Sequence, residues 1–293
     1  ELQNALDESP VRGGTGISHT RWATHGVPNE TNAHPHLSSD KIAIVHNGII
    51  ENYEELRDDL AAKGYAFSSD TDTEIVAHRI HFNMDGADDF ADAVHRTVAE
   101  LEGAYAIAVM SADHPEQIVI ARQGAPAVVG LGIDENFVAS AVAALLPVTR
   151  NFMFLEEGDV ALVERKQVTI WDEAGNVVER QVRESELDAD AAERGEFRHY
   201  MLKEIYEQSA AVARTLDGRI ADGRVLDASF APLANDALDK TRGIHIVACC
   251  TSYHAGLVAR YWIEALCGLP CTVEIASEYR YRSPVVPEGT LFV

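Results

Sequence analysis

The 293-residue chain is 46% hydrophobic and 24% charged, which is typical of a globular protein and excludes disorder as its main state. Its 47 acidic and 24 basic side chains give a net charge of −23, and such a surface argues against nucleic acid as a partner. No segment approaches the roughly 18 apolar residues that span a bilayer, and the start has no signal-peptide pattern, so we expect a cytoplasmic protein with no membrane partner.

Arginine outnumbers lysine among the basic residues, with nineteen arginines and only five lysines. An acidic, lysine-poor surface fits a protein from a high-salt cytoplasm, where ions screen the repulsion between like charges. A GC-rich genome that favours arginine and alanine codons is the alternative explanation. Composition alone does not separate these two interpretations.

Residues 1–186 are predicted to form a mixed domain of helices and antiparallel strands. Asn52 with Glu55 three residues later is a candidate capping box, and Asp72 is a candidate helix cap. The apolar patterns predict helices after Asn52, after Asp72 and from about Ala87, and strands over 41–47, 104–110, 117–121, 127–131, 136–139, 152–165 and 167–182.

An acidic, alanine-rich stretch over 185–196 is the best linker candidate, and we place the linker at 187–199. A helix is expected over 200–216, and the continuous apolar run 243–250 predicts a buried strand. A helix follows Thr251 and Ser252, and a second strand is expected over 271–275. Strand, helix, strand in this order predicts a parallel βαβ unit in residues 200–293.

The four cysteines all lie between Cys249 and Cys271, which favours a reducing compartment over a secreted disulfide framework. Their spacing, an adjacent pair followed by C-x3-C, does not fit a zinc site. We therefore expect no metal, and the favoured interpretation of these cysteines is that of small buried core residues.

Residues 19–36 hold the densest group of residues that can carry chemistry. The planar guanidinium of Arg21 is suited to bind a substrate carboxylate. At the end of the predicted strand 41–47, the amide of Asn47 and the N–H of Gly48 are suited to stabilise an oxyanion. The carboxylate of Asp72 is a candidate ligand for an ammonium group. A surface loop, a simple turn and a helix cap are the ordinary alternatives for these three segments.

Several motifs in order along the chain resemble one enzyme family, the glutamine:fructose-6-phosphate aminotransferases (isomerising). The matching motifs are H-T-R-W-A-T-H-G at 19–26, H-N-G-I-I-E-N at 46–52, S-D-T-D-T-E at 69–74, F-L-E-E-G-D at 154–159, H-Y-M-L-K-E-I-Y-E-Q at 199–208, T-S-Y at 251–253 and E-I-A-S-E-Y-R-Y-R at 274–282. The resemblance covers essentially the whole chain.

The resemblance implies a fold and a set of domains. Residues 1–186 should be a type-2 glutamine amidotransferase (glutaminase) domain with the N-terminal-nucleophile fold, an αββα sandwich, incomplete at its N-terminus. Residues 200–293 should be the start of a parallel-sheet sugar-isomerase (SIS) domain. The family nucleophile is an N-terminal cysteine whose own α-amino group acts as base, and this cysteine is absent here, so we expect a fragment without glutaminase activity.

The resemblance also implies roles for individual residues. In the glutaminase domain, Asn47 and Gly48 should form the oxyanion hole. In the isomerase domain, Thr251 and Ser252 should bind the sugar phosphate, although Cys250 stands where the family usually has glycine. The implied glutamine-binding residues are Arg21, Thr24, His25 and Asp72, and the implied gate and flap residues are Trp22 and His34.

The whole enzyme implied by the resemblance converts fructose 6-phosphate and glutamine to glucosamine 6-phosphate and glutamate. Ammonia would pass between the two sites, no cofactor would be needed, and the full-length enzyme would be a homodimer. Two alternatives remain open from the residues alone. One is another type-2 glutamine amidotransferase, and the other is a catalytically silent glutamine-binding module.

Overall fold

The protein is described here by a computed structural model covering residues 6–10, 13–21, 25–185, 195–216, 219–221, 224–225 and 238–293. The chain divides into two compact units, Glu1–Glu196 and Phe197–Val293. The proposed linker at 187–199 lies mostly outside the described residues, so its bounds stay a prediction.

The first unit is built on two antiparallel sheets. The helices whose bounds lie within the described residues are α1 (Tyr53–Ala62), α2 (Asp72–Asn83) and α3 (Phe90–Val98). The strands are β1 (His36–Ser38), β2 (Ile42–Ile50), β3 (Gly103–Ser111), β4 (His114–Gln123), β5 (Val128–Leu131), β6 (Asn136–Ala139), β7 (Asn151–Phe154), β8 (Val160–Val163), β9 (Val168–Trp171), β10 (Val177–Val178) and β11 (Val182–Glu184). The seven-stranded sheet has the order β1-β2-β3-β4-β8-β9-β10, and the four-stranded sheet has the order β11-β7-β5-β6.

Alternation along β2 explains how the larger sheet is covered. Ile42 and Ile44 are fully buried and pack against α2 and α3, where Ile75 and Phe90 belong to the same apolar cluster. The opposite face of the sheet packs on the smaller sheet through a second apolar cluster. This cluster contains Ile120 from the larger sheet and Val129 from the smaller sheet. The first unit is therefore a layer of helices followed by two sheets.

The fourth layer of the expected αββα sandwich is only partly present. In the described residues, the outer face of the smaller sheet packs on Leu145 and Leu146, which follow the 3-10 turn Val142–Ala144. The connection between β6 and β7 holds this single turn and no longer helix. The mixed α and β class is confirmed, and the four complete layers are not observed.

The predicted strand over 152–165 is wrong, because β7 and β8 belong to different sheets. A turn separates them, in which Gly158 has a φ of 76° and the N–H of Glu156 donates to the Asp159 carboxylate at 2.7 Å. Asp159 is fully buried and pairs with Arg180 at 2.7 Å. The predicted strand over 167–182 likewise divides into β9, β10 and β11.

The helix starts of the first unit also differ from the sequence expectations. Asn52 precedes α1 but makes no side-chain cap bond; its amide instead contacts the backbone of Glu100 at 2.8 Å and Glu102 at 3.1 Å. The cap of α2 is Thr71, whose hydroxyl accepts from the N–H of Glu74 at 3.3 Å. Asp72 is therefore the first residue of the helix and not its cap.

The second unit contains the predicted parallel βαβ arrangement. Its sheet has the order β15-β14-β16, with β14 parallel to both neighbours. The strands are β12 (Ile220–Ala221), β13 (Arg224–Val225), β14 (Gly243–Ala248), β15 (Cys271–Ile275) and β16 (Thr290–Phe292), and the helices are α4 (Tyr200–Leu216), α5 (Cys250–Trp262) and α6 (Ala276–Arg280). The expected helix over 200–216 and the expected strand over 271–275 are confirmed with the same bounds.

The expectation that the cysteines are buried core residues is confirmed for Cys271 and wrong for the other three. Cys249, Cys250 and Cys267 are exposed, and Cys271 is the buried one. The reason is that three of them lie beside or within α5 and its π-helical extension Ile263–Cys267, outside the strand interior. Among the described residues, no helix combines the length and apolar character needed to cross a membrane.

Candidate functional site

Four of the predicted site residues, Arg21, His34, Asn47 and Gly48, line one small cleft in the first unit. Arg21, Asn47 and Gly48 surround a volume of about 230 Å³, together with His19, His34, His46 and Thr73. The cleft is built by β2, by the first turn of α2 and by the loop that precedes β1. Trp22 and Thr24, which were also predicted for this loop, lie outside the described residues.

Asn47 and Gly48 occupy the interior of β2 and do not end it, contrary to the expectation from the sequence. They face Ala106 and Tyr105 of β3. Gly48 has a φ of 123°, and a Cβ at this position would lie 2.0 Å from the carbonyl oxygen of Ala104. Only glycine fits here, because any side chain would collide with the neighbouring strand.

Asn47 is tied to the loop by His19. The Nε2 atom of His19 lies 2.8 Å from Oδ1 of Asn47, and the backbone N–H of Arg21 donates to Nδ1 of the same ring at 2.9 Å. One imidazole therefore connects the strand that carries Asn47 to the residue predicted to bind the carboxylate.

Arg21 has an unsatisfied donor in the cleft. Its Nη2 donates to the carbonyl oxygen of His25 at 2.7 Å, whereas its Nε is buried without a hydrogen-bond partner among the described residues. A buried guanidinium N–H without a partner is costly, and a ligand oxygen would satisfy it. Arg21 also has a φ of 55°, a strained conformation of the kind found at functional sites.

Asp72 lies behind the cleft and is not among the residues that line it. Its carboxylate is 2% exposed and accepts from the N–H of Ile50 at 2.9 Å. Nδ1 of His25 lies 3.8 Å from Oδ2 of Asp72, and Nδ1 of His46 lies 3.9 Å from Oδ1. His25 is thus placed between Asp72 and the loop of Arg21, and its buried Nδ1 has no hydrogen-bond partner among the described residues.

A group of histidine rings lies beside Asn47. The ring of His34 stacks on His19 with centroids 4.3 Å apart and lies 5.1 Å from His36 and 6.5 Å from His46. Burial and the positive charges of neighbouring histidines and Arg21 lower the pKa of His34 to about 3. Burial, opposed by Asp72, lowers the pKa of His46 to about 4. Both rings are therefore neutral near pH 7.

Glu74 holds the N-terminal turn of α2 and was not identified from the sequence. It is 3% exposed, and its carboxylate accepts from the backbone and hydroxyl groups of Ser68 and Ser69 at 2.7–2.8 Å. Burial acts to raise the pKa of Glu74, but these hydrogen bonds outweigh it and the pKa is lowered. The turn that carries Asp72 and Thr73 is fixed in place by these bonds.

Asn32 connects the loop to the same turn and was also missed. It is 1% exposed; its Oδ1 accepts from the N–H of Asp70 at 3.0 Å and its Nδ2 donates to Val27 at 3.0 Å. A Cβ at Gly26 would lie 2.5 Å from this amide. No sequence signal distinguishes Asn32, whereas the burial of His46 follows from its alternation with Ile42 and Ile44 along β2.

In the second unit, Thr251 and Ser252 lie in the first turn of α5 and are exposed. This places both hydroxyls directly after β14, at the carboxyl end of a parallel strand, where open α/β sheets bind ligands. Cys250 has a φ of 51°, in the left-handed region. In the described part of the chain, no group of three or more histidine, cysteine, aspartate or glutamate side chains could hold a metal ion.

Residues 19–147, within the first unit, match the family described as a glutamine amidotransferase domain. Over its whole length the chain is similar to proteins named glutamine–fructose-6-phosphate aminotransferase (isomerizing). It is 54% identical over 293 residues to the member from Pseudomonas putida and 56% identical over 293 residues to the member from Shewanella oneidensis.

These matches cover 100% of this chain and 48% of each relative, so the chain spans about half the length of the curated relatives it matches. A solved structure, the C-terminal domain of glucosamine-fructose-6-phosphate aminotransferase from Francisella tularensis, is 52% identical. That match covers 34% of this chain and 28% of that chain, with a TM-score of 0.32.

Proposed function

We propose that the first unit binds glutamine and stabilises the oxyanion formed when its amide is attacked. The observation that carries this proposal is that Arg21, Asn47 and Gly48 line one cleft of about 230 Å³. A carboxylate-binding guanidinium thus lies beside two candidate oxyanion donors. Arg21 and Asn47 are separated by 26 positions in the sequence, so local sequence does not explain their proximity.

Glutamine is held in this proposal by its two charged groups. The free Nε of Arg21 and its Nη2 bind the α-carboxylate in a forked pair of hydrogen bonds. Asp72, with His25 beside it, balances the α-ammonium, and Thr24 completes the pocket. Trp22 and His34 belong to the flap that closes over it.

The side-chain amide of the substrate then lies against Asn47 and Gly48. A nucleophile adds to the amide carbon and its proton is transferred to the amide nitrogen, while the oxyanion is stabilised by the amide of Asn47 and the N–H of Gly48. The C–N bond then breaks, and ammonia leaves as the carbonyl re-forms. Water then releases glutamate from the acyl intermediate. The family resemblance assigns the nucleophile to an N-terminal cysteine, and no cysteine of this chain lies before Cys249.

The second unit is proposed to bind the sugar phosphate. The hydroxyls of Thr251 and Ser252 and the N–H groups that begin α5 suit a phosphate dianion. The full-length protein would use ammonia from the first site to convert fructose 6-phosphate to glucosamine 6-phosphate, as a cytoplasmic homodimer with an N-terminal-nucleophile glutaminase domain and an SIS domain.

Calorimetric titration of the protein with L-glutamine tests the glutamine site. L-Glutamine is expected to bind, whereas 4-aminobutanamide, which lacks the α-carboxylate, is expected not to bind. Arg21→Ala should weaken glutamine binding about 10- to 100-fold, the range for a lost charged hydrogen-bonding group.

Arg96→Ala is the matched control, because Arg96 pairs with Asp92 on the surface of α3, away from the cleft. It should bind glutamine like the unmodified protein. Equal binding of L-glutamine and 4-aminobutanamide, or unchanged binding by Arg21→Ala, would contradict the assignment.

A further inference from the structure

We propose that His19 is a positioning residue that sets the orientation of the Asn47 amide and links it to Arg21. This inference rests on the proposed function, because it concerns how the oxyanion donor of that site is held. His19 itself does not contact the reacting atoms.

The protonation pattern of the His19 ring follows from its two hydrogen bonds. A backbone N–H can only donate, so Nδ1, which accepts from Arg21 at 2.9 Å, carries no proton. In a neutral imidazole the proton must then be on Nε2. Nε2 lies 2.8 Å from Oδ1 of Asn47 and donates to it.

This donation determines which end of the Asn47 amide is free. With Oδ1 accepting from His19, the two N–H bonds of Nδ2 have no partner among the described residues and remain available to a ligand. If the amide were rotated by half a turn, its oxygen would face the oxyanion and repel it. A ring with a proton on Nε2 excludes the rotated amide, because two donors would then meet.

The ring of His19 is itself held in place. His34 stacks on it at 4.3 Å with an interplanar angle of 18°. His34 in turn accepts from the N–H of His46 at 3.2 Å, and this residue directly precedes Asn47 in β2. The strand therefore holds the stacked ring of His34, and the strained backbone of Arg21 donates to the ring of His19 itself.

Two substitutions separate the two bonds of the ring. His19→Asn keeps an acceptor near the position of Nδ1 and removes the donor to Asn47. His19→Gln keeps a donor near the position of Nε2 and removes the acceptor for Arg21. Glutamate release from glutamine by the full-length protein that contains this chain gives kcat and KM for each variant.

His19→Asn is expected to lower kcat at least tenfold while KM for glutamine stays within threefold. His19→Gln is expected to keep kcat within threefold and to raise KM, because Arg21 loses its backbone anchor. In an Asn47→Ala background, His19→Asn should cause no further loss of kcat. An unchanged midpoint of urea unfolding of the first unit reports that each variant is folded, and His81→Asn, on the far part of α2, is the control that should change neither constant.

The inference would be overturned if both His19 variants changed kcat and KM to the same extent, or if His19→Asn left kcat unchanged. In either case a low kcat in Asn47→Ala would still support the oxyanion assignment. Unchanged kcat in Asn47→Ala would instead remove the proposed function on which the inference rests. Additive losses in the double variant would also contradict the link between His19 and Asn47.

Discussion

At the scale of single residues, Cys250 occupies a backbone conformation that disfavours its side chain. Its φ of 51° lies in the left-handed region, where an L-residue costs roughly 1–2 kcal/mol. Glycine adopts this conformation freely but loses more chain entropy on folding, about 0.5–1 kcal/mol. Cys250→Gly should therefore raise the free energy of unfolding of the second unit by about 0.5–1 kcal/mol, as measured by urea titration.

The neighbouring cysteine provides the matched control for this prediction. Cys249 has a φ of −134° and ψ of 167°, an extended conformation with no strain to relieve. Cys249→Gly should lower the free energy of unfolding by the entropy cost alone. If the two substitutions shift stability in the same direction, strain at Cys250 is not the reason.

At the scale of elements, β2 and the N-terminal turn of α2 enclose histidines that remain neutral in the folded protein. The pKa of His46 is lowered from 6.5 to about 4, mainly by burial. As the pH falls below 6.5, the unfolded chain binds a proton that the folded chain does not, so the free energy of unfolding falls. This group contributes a slope of up to about 1.4 kcal/mol per pH unit between about 6.5 and 4.

Urea titrations at pH 8, 6.5 and 5 measure this slope. Burial also lowers the pKa values of His34 and His36, so these rings add to the loss of stability at low pH. The negative charges of Asp72 and Glu74 act on the same cluster in the opposite direction, because they raise the pKa values of His36 and His46. His46→Asn, which retains a polar atom near Thr73, should reduce the slope below pH 6.5 without changing the flat region above pH 7.5. An identical slope in the variant would show that His46 titrates normally in the folded protein.

The elements that the sequence predicted well are those with a complete local pattern. The βαβ unit was found because β14 is a continuous apolar run and α5 begins directly after it. The segment over 152–165 was misassigned because apolar residues continue on both sides of the turn at Gly158, and periodicity does not reveal a change of sheet.

The candidate site was predictable only in part, for a related reason. Arg21 and Asn47 have side chains whose chemistry suggests a role, and the family motifs contain them. The hydrogen bonds of His19, Asn32 and Glu74 depend on a close approach of separate segments, 28 positions apart for His19 and Asn47. No local pattern in the sequence records that approach.

At the scale of the whole molecule, the net charge of −23 opposes folding through self-repulsion. The Debye length falls from about 10 Å at 0.1 M to about 3 Å at 1 M salt, so most of this repulsion is screened at high salt. If the acidic, lysine-poor surface is an adaptation to salt, Tm should rise between low salt and 1 M KCl. NaCl should raise Tm to the same extent as KCl. A Tm that stays flat or falls with salt would favour codon usage as the explanation of the composition.

The central claim, that Arg21 binds glutamine and Asn47 acts on the oxyanion, is tested most directly by the kinetics of glutamate release from the full-length protein. Arg21→Ala should mainly raise KM, because a contact to bound substrate is lost, whereas Asn47→Ala should lower kcat about 10²–10³-fold. Both variants should retain synthesis with added ammonia. A normal kcat with weakened glutamine binding in Asn47→Ala, or equal loss of ammonia-supported synthesis in both variants, would contradict the account.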